Sequence, residues 1–476
     1  MPKKILTFIK LNIDIILILM IAIFFRAKEI MAFEFWVDEA FTGILMRLPV
    51  KEFLQIIKHD AHPPLFNVLL RIWSTFFGTG EFFLRLPSLI FGVLTIILSY
   101  ILVKKALGKT FGLICALLIS INPFLIGYST EARSYSFYGF LTLLTFAFLI
   151  FQKRLLFLIS SVFLLFTHYI APLYVIPMLI FFVYQNFNKK SIAMSLKKCL
   201  PVIFVVVILV ITVSMGLNAS GDKINTEWVR KVSLNNIPRS ITSYSYGVKV
   251  KLPGADEINN VNLYINKNYI GYIILPIYIL SAILYLYKVK QDKNELLKFL
   301  LINVLFIGPQ IVLILAGYFT RYNLYVERYL FPSSIFFILS VIYIFNKITS
   351  FEISIIIILF YFFTTLRIQR PYYHNGIKEI TRQYRNFSNE IVFSSPIDYV
   401  IARYYFGENF LNIKIQDPQN PSFTFYNWPR VRNNTLPTHK IDAIYISPFE
   451  NKMEGSFIKV NNIGSFGIYR KKISSK

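Results

Sequence analysis

Long stretches of this 476-residue chain, such as Ile15 to Phe25, Leu86 to Val103, Pro201 to Leu217 and Ile353 to Leu366, run for eleven residues or more without a charge. With their flanks they approach the length that crosses a hydrocarbon core of roughly 30 Å as a helix. Lipid offers the backbone no hydrogen bonds, so only helices and closed barrels span it. The runs show no two-residue alternation, which sets the barrel aside. Hydrophobic residues fill 55% of positions and charged ones 16%, a balance that excludes an ordinary soluble globular chain.

Lys and Arg number 50 against 25 for Asp and Glu. In a soluble protein that surplus points to nucleic acid; here the lysines gather in short polar connections, where anionic head groups and membrane orientation explain them. No nucleic-acid partner is expected. The two cysteines, Cys115 and Cys199, lie within or beside apolar runs and imply neither a disulfide framework nor a metal cluster. The basic-then-apolar start, Met1 to Phe25, lacks a small-residue cleavage site and reads as a retained first span.

Topology turns on Pro63 to Gly78, where Asn67, Arg71 and Ser74 form one polar stripe on an apolar run. If that segment lies in the interface, the loops with Lys104, Lys105, Lys109, Lys153, Arg154, Lys189, Lys190, Lys197, Lys198, Lys288, Lys290, Lys293 and Lys298 share the side of Lys3 and Lys4. If it crosses, those lysines face outward, against the positive-inside rule. The interfacial reading gives about eleven spans, near 9–25, 84–103, 111–128, 134–151, 154–168, 171–186, 200–217, 269–287, 297–318, 329–346 and 350–366. The expected fold is thus an all-α polytopic membrane domain, 1–366, whose first outer loop spans 26–83. A second outer loop runs from Asn218 to Asn268. The tail, 367–476, reads as a small extracytoplasmic α/β domain, with strands at Ile391 to Ser395, Ala443 to Ser447 and Phe466 to Arg470 and a helix at Asp398 to Phe406.

Chemistry concentrates in the outer turns. Trp36-Val37-Asp38-Glu39-Ala40-Phe41 sets two carboxylates just past the first span, where acids are costly unless solvated or partnered; first-turn helix capping is the bland alternative. In His59-Asp60-Ala61-His62-Pro63-Pro64-Leu65 the prolines fix the backbone ahead of a helix. Asp60 and His62 there offer oxygen and imidazole to a divalent ion, the minority reading beside loop orientation by hydrogen bonding. Tyr128-Ser129-Thr130-Glu131-Ala132-Arg133-Ser134-Tyr135 carries an arginine suited to bidentate phosphate binding or to a structural ion pair with Glu131 or Asp38. The turn from Arg321 through Glu327-Arg328-Tyr329 offers the same choice. His168-Tyr169 closes the fifth span, where packing or snorkelling is the commoner role.

Taken in order, these motifs resemble a known family. Trp36 to Phe41, Asp60 to Leu65, Glu81-Phe82-Phe83-Leu84-Arg85-Leu86-Pro87-Ser88 and Phe91-Gly92-Val93-Leu94-Thr95 come first. Asn122-Pro123, Tyr128 to Tyr135, Thr167-His168-Tyr169 and Glu327-Arg328-Tyr329-Leu330-Phe331-Pro332 continue the likeness. The pattern resembles the dolichyl-phosphate-mannose protein mannosyltransferase-like group and the related bacterial aminoarabinose transferases of lipid A, both GT-C fold glycosyltransferases. Order and spacing carry it, over about the first third of the chain and one later turn.

The resemblance implies interfacial helices in the first outer loop, a polyprenyl-phosphate sugar donor, and inverting transfer to an acceptor lipid, glycan or protein outside the plasma membrane. It implies Asp38 as the catalytic residue. Where the aminoarabinose transferases tend to carry an acid, this chain has Ala61, so a second acidic role falls to Glu39 or Asp60. Arg133 and Arg328 are the expected phosphate ligands, with Tyr128 and His168 beside them. Asp60, His62, Arg71, Tyr135, Glu327 and Tyr329 are supporting residues. No cofactor beyond the divalent ion is suggested. The rival class is a polytopic lipid or glycan transporter or flippase, which should place charged or broken elements at mid-membrane in related halves; no internal repeat is evident.

Overall fold

The computed structural model describes residues 3–58, 60, 62–187, 192–220, 229, 231–247, 260–320, 323–349, 351–366, 376–386, 390–407, 413–416, 435–436, 444–448, 457–463 and 466–471. His59, Ala61, Arg321, Ala443 and parts of the second outer loop, singled out above, lie outside them. Two compact units carry the elements. The first comprises Met1–Ile30, Leu54–Ile72 and Arg85–Pro371; the second comprises Met31–Phe53, Trp73–Leu84 and Tyr372–Lys476.

The chain is mostly helical, beginning with α1 (Lys3–Ile30), α2 (Val37–Leu45), α3 (Val50–Ile57) and α4 (Leu65–Phe77). At about 1.5 Å per residue α4 extends only about 20 Å. Then follow α5 (Glu81–Leu107), α6 (Lys109–Ile121), α7 (Pro123–Tyr128), α8 (Tyr135–Ile150), α9 (Arg154–Leu165) and α10 (Pro172–Asn186). The third expected span is two helices, because Asn122 leaves the helical region and Pro123 starts afresh, with the Asn122 side chain accepting from Leu125 N. The bundle continues with α11 (Ile192–Ser220), α12 (Asn236–Tyr246), α13 (Asn260–Val289), α14 (Lys293–Phe319), α15 (Phe331–Ile348) and α16 (Phe351–Leu366).

Among the described residues four helices are long and apolar enough to cross a membrane: Glu81–Leu107, Ile270–Val289, Lys293–Phe319 and Glu327–Ile348. Shorter apolar helices accompany them, and the chain is a multi-pass membrane protein. α15 is apolar on every side and buried along nearly its whole length, as a central helix should be. Leu200, Phe204, Ile277 and Phe360 are exposed on α11, α13 and α16, apolar side chains that suit lipid. Buried hydroxyls bond back along their own helices: Thr142 to Tyr138 O and Thr145 to Leu141 O, each at 2.8 Å. Gly92 of α5 is needed for packing, since a Cβ there would lie 2.6 Å from Ser129 Cβ.

The second unit adds α17 (Ile377–Tyr384) and α18 (Pro396–Phe406) to a six-stranded sheet. Its strands are β1 (Ile391–Phe393), β2 (Ile413–Gln416), β3 (Thr435–Leu436), β4 (Ile444–Pro448), β5 (Phe457–Ile463) and β6 (Phe466–Lys471), in the order β3-β2-β1-β4-β6-β5. β1 pairs in parallel with β2 and β4, Ile391 opposite Ile413 and Ile444, while β6 runs antiparallel to β4 and β5. The three expected strands and the expected helix are present as β1, β4, β6 and α18. α18 packs on α2, where a Cβ at Gly43 would stand 2.5 Å from the Tyr404 ring.

Candidate active site

Within the first unit, four turns bring their side chains together. Asp60 organises the first: its Oδ1 accepts from His62 N at 3.1 Å and its Oδ2 from Asn67 Nδ2 at 3.1 Å. The polar stripe of α4 therefore faces inward at Asn67. Arg71 lies a turn further on, half-buried. Burial works to raise the Asp60 carboxyl, but His62 and Arg133 outweigh it and hold it below the ordinary carboxylate range. The second of the two prolines, Pro64, opens α4, and Leu65 N donates to Phe166 O at 3.2 Å, tying this turn to the one after α9.

Arg133 comes from the turn before α8. Its backbone is anchored to α5, where Ser88 Oγ donates to Arg133 O at 3.0 Å and Ser136 Oγ donates to Ser88 O at 2.8 Å. Its Nη2 stands 3.4 Å from His62 Nδ1. A guanidinium only donates, so this is a hydrogen bond when Nδ1 is unprotonated. Protonated at Nδ1, the ring faces Asp60 Oδ1 instead, 3.7 Å away.

His168 lies past the end of α9, 3% exposed. Its ring is 5.2 Å from that of His62 and 5.1 Å from that of Tyr329, and stacks on Tyr138 at 4.8 Å. Its Nδ1 accepts from Ile170 N at 3.2 Å, so in the neutral ring the proton sits on Nε2. That Nε2 is buried and has no hydrogen-bond partner among the described residues, and the same holds for the Tyr138 hydroxyl. Burial first, then the charges of His62, Arg133 and Arg328, push the His168 pKa well below the usual histidine value. His168 is therefore a neutral donor.

The fourth turn is the 3-10 segment Glu327–Leu330. The Tyr329 ring lies 6.0 Å from His62, and the Arg328 guanidinium sits 5.7 Å over the Tyr329 ring. Glu327 Oε1 accepts from Arg239 Nε of α12 at 2.5 Å. Sequence reading did not single out Arg239, because its partner is 88 residues away. Tyr135 and Tyr128 complete the wall, their rings 5.2 Å apart and Tyr135 6.3 Å from His62. Among the described residues no group of three or more His, Cys, Asp or Glu side chains stands together to hold a metal ion. Asp60 and His62, the suggested ligand pair, are a two-residue set whose carboxylate oxygens already accept hydrogen bonds.

Asp38 and Glu39 belong to the second unit, in the first turn of α2. Glu39 is buried and Asp38 is half-buried, so Asp38 is the more accessible carboxylate. Thr42 Oγ1 donates to Asp38 O at 2.8 Å, fixing the turn from which the side chain projects.

Residues 61–215 match the sequence profile of the family described as dolichyl-phosphate-mannose-protein mannosyltransferase. The matched stretch includes His62, Arg133 and His168. No curated protein matches the chain by sequence. Among solved structures, the chain is similar to ArnT from Cupriavidus metallidurans bound to undecaprenyl phosphate, at 13% identity and TM-score 0.46, over 98% of this chain and 99% of that one. It is also similar to the Archaeoglobus fulgidus oligosaccharyltransferase, at 12% identity and TM-score 0.49, over 92% of this chain and 68% of that one.

Proposed function

We propose that this chain is a glycosyltransferase of the plasma membrane that moves a sugar from a polyprenyl phosphate to an acceptor hydroxyl on the extracytoplasmic side. The observation that supports this best is the convergence of Arg133, His62, His168 and Tyr329 from separate outer turns, three of them inside the stretch that matches the mannosyltransferase profile. A departing phosphoester needs its growing negative charge held, and a forked guanidinium with a buried N–H does that. Arg133 and His168 Nε2–H are assigned that task, with Arg328 beside them.

The base is assigned to Asp38 on the sequence resemblance. The acceptor O–H gives its proton to the Asp38 carboxylate as the oxygen bonds to the anomeric carbon. The bond from that carbon to the phosphate oxygen breaks, and polyprenyl phosphate leaves with the electron pair. A single displacement of this kind inverts the anomeric carbon; Glu39 would be the nucleophile in a retaining alternative.

The test is purified chain in proteoliposomes supplied with labelled polyprenyl-phosphate sugars and envelope acceptors. Transfer is expected, and Asp38→Asn should lower it roughly 10²- to 10⁴-fold with normal membrane insertion. Near-normal turnover in that variant removes Asp38 from the mechanism. Movement of the lipid across the bilayer with no bond broken would replace the enzyme with a transporter.

A further inference from the structure

We propose that Arg239 is a positioning residue of this site, engaging the Glu327 carboxylate so that Arg328 and Tyr329 are presented to the donor phosphoester. The inference rests on the donor reading above. It begins with an ion pair whose members are partly desolvated: Arg239 Nε and Glu327 Oε1 are 2.5 Å apart, with side chains 25% and 13% exposed.

The helix that carries Arg239 has little room to move. A Cβ at Gly271 of α13 would fall 1.8 Å from Pro238 O, so α12 and α13 touch backbone to backbone there. The Tyr325 hydroxyl hydrogen-bonds with Ser240 Oγ at 2.7 Å and lies 2.9 Å from Gln310 Oε1. At the other end of α12, Asn122 Nδ2 donates to Tyr244 O at 2.7 Å and the Tyr361 hydroxyl donates to Ser245 O at 2.6 Å. α12 is thus a fixed brace, and it grips the Glu327 turn at Tyr325 and again at Glu327.

Two consequences follow for the neighbouring residues. The turn is held with Tyr329 against His168, 5.1 Å ring to ring. The Glu327 charge is also neutralised by Arg239, so a carboxylate adjacent in sequence to Arg328 does not oppose an incoming phosphate. Among the described residues Arg239 pairs with Glu327 and touches none of the rings of the cluster, and so acts through Glu327.

The experiment uses the full chain in nanodiscs with undecaprenyl phosphate as the probe, measuring Kd together with the thermal unfolding midpoint. Arg239→Ala is expected to weaken binding about tenfold, since small displacements of a binding group carry costs of this order or more. Arg239→Lys should retain most of the affinity. The reversed pair, Arg239→Glu with Glu327→Arg, should recover much of what either single change loses, as coupled neighbours do. The midpoint of Arg239→Ala should stay near wild type; should that variant not fold, Arg239→Lys and the reversed pair decide the matter by the same measurement. Unchanged affinity in Arg239→Ala, or a reversed pair no better than its single members, overturns the inference alone. A wild-type chain that does not bind undecaprenyl phosphate overturns the donor reading, and this inference with it.

Discussion

The two units each hold a polar cluster, and the clusters differ in how completely they are closed. In the second unit Glu81 accepts from Lys378 Nζ at 2.7 Å and from the Tyr405 hydroxyl, which in turn accepts from Phe35 N at 2.8 Å. Glu34 accepts from the amides of Gly376 and Ile377, capping the start of α17. Burial raises both the Glu34 carboxyl and the Tyr405 hydroxyl, the response of groups enclosed in a structural knot. In the first unit Asp60 is also engaged, yet the His168 Nε2–H in the same cluster is buried with no partner among the described residues. Proteins rarely leave a buried donor unmatched without a use for it. A closed cluster staples a fold, whereas one with a spare donor among arginines is suited to an anion.

That contrast can be broken by substitution. The largest effect is expected from Arg133→Ala, which removes the forked cation nearest His62 and should lower kcat/KM for the lipid-linked sugar about 10²-fold. Steady-state assay in proteoliposomes reads it, and an unchanged value would assign the cluster to structure. His168→Phe should follow with a loss of about tenfold, while His168→Gln, which keeps an N–H near the same place, should lose less.

The same histidine carries a pH signature. Its folded-state pKa lies below the unfolded value near 6.5, so its contribution to stability is present above that value and is lost as pH falls below it. Thermal unfolding followed from about pH 8 to about pH 5 should show that decline in the wild type and less of it in His168→Phe. A decline of equal size in the variant would mean that another group drives it.

The smallest effect is expected from Glu81→Gln. It should cost the second unit about 1 kcal/mol, the hydrogen-bond value discounted because Lys378 is half-exposed, and leave transfer by the full chain unchanged. Limited proteolysis and turnover measured on one preparation check both halves. A loss of transfer without loss of stability would erase the distinction between the clusters.

Much of the helical architecture was legible in the chain. The spans expected near 84–103, 297–318 and 329–346 coincide with α5, α14 and α15, whereas the one expected near 111–128 was not read as the two helices α6 and α7. The tail's short apolar segments located β1, β4 and β6; β2, β3 and β5, short or polar, were not singled out. Of the site residues, Asp60, His62, Arg133, His168 and Tyr329 were named from the sequence, each on its own motif. Their convergence was not, nor was the hydrogen bond from Asn67 of α4's stripe to Asp60.

By itself the sequence determined that this protein lies in a membrane as helices and that its acids, histidines and arginines of interest sit in polar turns between them, because hydropathy and turn chemistry are local properties of a few successive residues. Only the tertiary structure decided that Arg239 meets Glu327, that Phe166 O receives Leu65 N, and that His168 is sealed with its proton on Nε2. Those outcomes depend on which helices pack together and how closely, and that is set by the whole bundle at once.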